Sequence, residues 1–150
     1  MSLRGDWRPG LPAPVSRLVI WLLALEILDR GVDYALGDPP GVTNSLTIVE
    51  EAMPLPAWGA LCLIAGITVI VGILTKQHVG IVLGSLWAAG IYAALSWGLF
   101  LKFLERGEPW SGWRTPVHFL MMAGVWALIA VGTTWRRRLD REYRERGTRA

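Results

Sequence analysis

Ala57-Trp58-Gly59-Ala60-Leu61-Cys62-Leu63-Ile64-Ala65-Gly66-Ile67-Thr68-Val69-Ile70-Val71-Gly72-Ile73-Leu74-Thr75 runs nineteen residues without a charge. At ~1.5 Å per helical residue it covers nearly the whole ~30 Å hydrocarbon thickness of a bilayer, so residues 57–75 read as a membrane-spanning helix. On its C-terminal side, Lys76-Gln77-His78 leaves room only for a tight turn before a second apolar run, residues 79–104. A connection that short makes the two helices antiparallel neighbours. Two further runs complete the set. Residues 116–135 open with Pro116, which a first helical turn accepts. Residues 15–36 end at Gly37-Asp38-Pro39-Pro40, a strong helix stop.

Composition agrees with a lipid environment. The chain of 150 residues is 53% hydrophobic and 18% charged, more apolar material than a water-soluble core of this size takes up. Trp21, Trp58, Trp87, Trp97, Trp110, Trp113 and Trp135 mostly fall near the ends of the apolar runs, as in the aromatic belt of a membrane boundary. Residues 1–14 carry Arg4, Arg8, Pro9, Pro12 and Pro14 and read as an arm without continuous helix. The first apolar run begins only after Arg17 and holds acids, so it is expected to stay in the mature protein rather than act as a cleaved signal. Cys62 is the only cysteine, which excludes an intrachain disulfide, and it reads as a small packing residue.

The expected fold is all-α: an integral membrane four-helix bundle in a single transmembrane domain, with residues 136–150 as a basic cytoplasmic tail. Between the first two spans, residues 41–56 are too short and acidic to cross. Thr43, Asn44 or Ser45 can cap a short amphipathic helix there, with Leu46, Val49 and Met53 on one side, lying along the outer surface until Pro54 and Pro56 end it. Orientation follows from the basic residues. Arg4, Arg8, Arg17, Lys76 and the seven arginines of the tail lie on one side, against Arg30, Lys102, Arg106 and Arg114 on the other, so both termini are expected on the cytoplasmic side. The formal charge of +3 belongs to the tail rather than to the protein as a whole, so nucleic acid is not an expected partner.

The first span is unusually polar. Glu26, Asp29, Arg30 and Asp33 recur at helical spacing and share one stripe. Counted from Arg17, Glu26 lies ~14 Å along the axis and Asp33 ~24 Å. A carboxylate at mid-membrane costs ~2.5 kcal/mol or more against hydrocarbon, so Glu26 is expected to pair with Arg30, to be neutralised by a proton, or to face the interior. An internal pair and a pocket responsive to a proton or ligand, open to the outer face, are both consistent with the stripe. His118 lies at similar depth in the last span. If first and last spans are neighbours, it can hydrogen-bond Asp29 or Asp33 and titrate near neutrality; a purely structural histidine is the plainer alternative. His78 belongs to the opposite surface, which excludes a haem held by two histidines of one chain.

Gly80, Gly84 and Ala88 form a stripe of small residues, and Gly66 and Gly72 thin the neighbouring span, so close helix contact is expected, within the chain or between copies. In the tail, Arg136, Arg137, Arg138 and Arg141 are interleaved with acids, as in a solvated helix that continues the last span and touches anionic lipid headgroups. No Gly-rich phosphate loop, zinc spacing or nucleophile with a base is present in the sequence, so neither an enzyme, a metal site nor a cofactor is expected.

Val49-Glu50-Glu51-Ala52-Met53-Pro54-Leu55-Pro56-Ala57-Trp58-Gly59, leading into a glycine-containing span, resembles small four-span proteins of actinobacteria and their phages, some of them holin-like. The resemblance covers roughly residues 50–135 and carries over no functional residue. The acidic first span departs from holins, whose spans are largely uncharged. It implies a phage-encoded protein of the bacterial inner membrane that oligomerises to permeabilise or modify that membrane, with the bilayer and a second copy as partners. Two other functions fit the same residues: a nonlytic binding or carrier module using the polar pocket, and a structural subunit of a membrane assembly.

Overall fold

The computed structural model describes residues 13–36, 47–106 and 113–147. The arm 1–12, the stop at Gly37-Asp38-Pro39-Pro40, the candidate caps Thr43, Asn44 and Ser45, Leu46 and Trp110 lie outside the described residues. Five helices follow in order: α1 Ala13–Leu36, α2 Thr47–Ala52, α3 Leu55–Leu74, α4 His78–Arg106 and α5 Arg114–Gly147. No strand occurs among the described residues.

Three of the four long helices, α3, α4 and the Arg114–Arg138 part of α5, are long and apolar enough to cross a membrane. The fourth expected span, α1, is not among them. Its 24 residues have the length, but Arg17, Glu26, Asp29, Arg30 and Asp33 break its apolar character. Burial inside the protein is sparse along the three apolar helices, and large side chains such as Leu74, Leu86, Leu120, Met121 and Leu128 stand exposed on their outer faces. Side chains of this kind on every outward face suit lipid rather than water as the surrounding medium. Three threonine hydroxyls in these helices bond back to their own helix, whereas the buried Ser85 hydroxyl of α4 has no hydrogen-bond partner among the described residues. Thr68 Oγ1 donates to the Ile64 carbonyl at 2.7 Å, and Thr133 and Thr134 donate to the carbonyls of Ile129 and Ala130 at 2.7 and 2.8 Å.

The helices pack as a row: α1 against α3, α3 against α4, and α4 against α5. Glycines set the spacing of the first two seams. A Cβ on Gly59 would stand 2.6 Å from Ala35 N and 2.7 Å from Gly31 O, so the α1 and α3 backbones touch there. One on Gly72 would stand 2.6 Å from Ile81 N, which fixes the α3–α4 hairpin at its closed end. The turn itself is a Schellman motif. Gln77 N–H donates to the Gly72 carbonyl at 2.9 Å and Lys76 N–H to the Ile73 carbonyl at 3.3 Å, with Lys76 at φ 56° in the left-handed position usually given to glycine. The α4–α5 seam is held by Ser96, whose hydroxyl donates to the Pro116 carbonyl at 2.7 Å, and by Leu95, Phe119, Ala123 and Trp126 in the core.

The short helix expected between the first two long ones is present as α2, and the apolar side that carries Val49 packs inward. Val49 of α2 is 3% exposed and packs on α4 at Gly98, where a Cβ would stand 2.6 Å from Val49 Cγ2. Trp58 Nε1 ties it down by donating to the Val49 carbonyl at 3.2 Å. Pro54 precedes α3 and Pro56 lies within its first turn, where the absent N–H costs no helical hydrogen bond. The tail continues α5 without a break to Gly147.

Candidate functional site

One turn of α1 separates Glu26 from Arg30, and the two side chains meet. Arg30 donates to Glu26 Oε1 from Nη2 at 2.7 Å and from Nε at 3.2 Å. The other carboxylate oxygen, Oε2, accepts from the Tyr92 hydroxyl of α4. Arg30 Nη1 also reaches the Tyr34 hydroxyl at 3.5 Å, one turn further along α1. Its guanidinium carbon sits 4.6 Å from the ring centre of Phe119 on α5 and 5.6 Å from that of Tyr92. Cation–π attraction at these distances adds ~0.5–2 kcal/mol, more where water is excluded. The cluster therefore clasps α1, α4 and α5 together, although α1 finds its main packing partner in α3.

The clasp is electrically closed. Both oxygens of Glu26 are engaged, the charge of Arg30 is compensated, and their side chains are 33% and 22% exposed. Asp29 and Asp33 differ: they are exposed and make no hydrogen bond or ion pair among the described residues. The acidic stripe thus splits. Glu26 and Arg30 turn toward α4 and α5, whereas Asp29 and Asp33 lie with Leu22, Leu25, Val32 and Leu36 on the outward side. A cavity of about 370 Å³ is bordered by Glu26, Asp29, Arg30, Val32 and Asp33.

His118 does not join this group. It is exposed, with its ring edge-on to Phe119 at 6.1 Å, and no hydrogen bond links it to Asp29 or Asp33. A step of one residue turns a helix by about 100°, so the position that faces Arg30 from α5 is Phe119. Tyr34, Tyr92 and Phe119 carry no charge at neutral pH, so a pattern of charged residues does not reveal them. Tyr92, the only tyrosine among the apolar residues of its span, was the one available signal. No group of three or more His, Cys, Asp or Glu converges as a metal site among the described residues.

The small residues lie inside the chain. Gly66 faces Leu28 and Ile27 of α1, Gly72 and Gly80 face each other, Gly84 faces Val69 of α3, and Ala88 is fully buried. Arg136, Arg137 and Arg138 are exposed, and the side chain of Arg141 lies outside the described ones. No protein-family model, no curated protein and no solved structure matches this chain.

Proposed function

We propose that the chain is a nonlytic, multi-pass protein of the bacterial inner membrane, not an enzyme, that binds a small lipophilic cation at the acidic groove of α1. In this reading α1 crosses the bilayer as a fourth span beside α3, with both termini cytoplasmic. The reading is carried by one observation: two carboxylates, Asp29 and Asp33, stand unpaired among the described residues on the rim of a 370 Å³ cavity, while their neighbour Glu26 is already matched by Arg30. Carboxylates in that position are costly against hydrocarbon, and a cation with an apolar body offsets both the charge and the exposed Val32 surface.

The test is binding of tetraphenylphosphonium to the purified protein in nanodiscs, followed by titration calorimetry. Asp29→Asn/Asp33→Asn is expected to weaken binding at least tenfold without loss of helicity, whereas equal affinity in the two proteins defeats the reading. A holin-like function is the second reading. It draws on Gly90, Gly124 and Gly132, where an added Cβ would meet nothing within 4 Å, leaving small-residue surface open to another copy. Induced expression in a bacterium separates the two, since the binding protein leaves the membrane potential intact and a holin collapses it abruptly.

A further inference from the structure

At the end of the helices remote from the clasp, α4 and α5 border two cavities. The larger, about 330 Å³, has Val82, Leu86, Ala130 and Val131 as its walls, with Trp135 and Arg138 at its rim. The second, about 220 Å³, is walled by Val79 and Leu83, with His78 and Arg137 at its rim. Val82 and Thr134 border both, so the two lie side by side as lobes of one α4–α5 groove region. Each lobe combines an apolar floor with one arginine at its mouth. Neither Arg137 nor Arg138 has an ion-pair or hydrogen-bond partner among the described residues. The hydroxyls of Thr133 and Thr134 are spent on their own helix, which leaves the arginines, His78 and the Trp135 indole N–H as donors.

We infer that this groove is a binding site for one anionic phospholipid, with an acyl chain along the α4–α5 floor and the phosphate on Arg137 and Arg138. Charge complementarity selects the ligand: apolar walls exclude a free anion, and two unpaired guanidiniums at the boundary favour a phosphate that carries net charge over a zwitterionic headgroup. Trp135 stands at the same level, where indole rings mark the headgroup layer. Arg136, the next basic residue, lines neither lobe, so position rather than the number of charges defines the site. The inference rests on α4 and α5 lying in a bilayer. It uses no residue of the α1 groove, so the cation reading and this one fail separately.

The experiment is native mass spectrometry of the full chain released from detergent after equilibration with equal amounts of phosphatidylglycerol and phosphatidylcholine. The wild type is expected to retain one phosphatidylglycerol with at least tenfold preference. Arg137→Gln and Arg138→Gln should each cut that preference at least threefold, while Arg136→Gln, with the same change of charge, leaves it within the error of the wild type. Val131→Trp, at an exposed wall position, is expected to reduce retention of lipid with all arginines in place, and millimolar inorganic phosphate should not displace the lipid. Equal effects of the three arginine variants, full retention in Val131→Trp, displacement by phosphate, or no preference between the two lipids would each overturn the assignment.

Discussion

Glu26 and Arg30 stabilise α1 only as a pair. Removing one partner of a buried pair leaves an uncompensated charge and typically costs ~3–5 kcal/mol, and the partial exposure of this one brings the expected loss to about 1–3 kcal/mol. Glu26→Gln should therefore lower the unfolding midpoint in detergent, and so should Arg30→Gln. The double variant, neutral on both sides, should lose less than the sum of the two. Strict additivity in that cycle would mean that the two side chains do not act on each other. The pair was legible from its four-residue spacing. Its partners Tyr92 and Phe119 were not, because neither carries charge and both come from helices far away in the chain.

At the scale of the element, the glycines divide into those pressed against a backbone and those facing outward. Gly59 belongs to the first kind, and its missing Cβ lets α3 approach Ala35 and Gly31 of α1. Gly59→Ala is expected to destabilise the protein by about 1–3 kcal/mol, because backbone atoms cannot swing aside as a side chain can. Gly90 on α4 has open space around it, so Gly90→Ala should be neutral or gain up to ~1 kcal/mol from the lower flexibility of alanine. Equal shifts of the two midpoints in a thermal melt would show that the α1–α3 contact is absent in solution. Helix positions were readable from apolar run length, and each observed long helix begins within two residues of its expected start. The seat of α2 was not, since Val49 finds Gly98 across the fold rather than along the chain.

For the molecule as a whole, the place of α1 follows from its packing on α3. It packs antiparallel to α3 along its length, with Gly31 and Ala35 beside Gly59 and Leu28 beside Gly66, and in the proposed four-span reading it shares the depth of α3. Its inward charges are neutralised, which is how a polar helix is tolerated there. Single cysteines at Ser2→Cys and Ala150→Cys, in a Cys62→Ala background, should both be protected from an impermeant maleimide in intact cells. Labelling of Ser2→Cys alone would show that α1 does not cross.

The sequence by itself determined what local run length and spacing control: helical class, the three apolar helices, and the hairpin between α3 and α4; it brought Glu26 within reach of Arg30 but left an internal pair and an open pocket as alternatives. Tertiary structure alone decided which way each polar side chain turns. It sent Glu26 and Arg30 inward and left Asp29, Asp33 and His118 outside, because helix rotation is set by the packing of glycines and aromatics contributed by other helices.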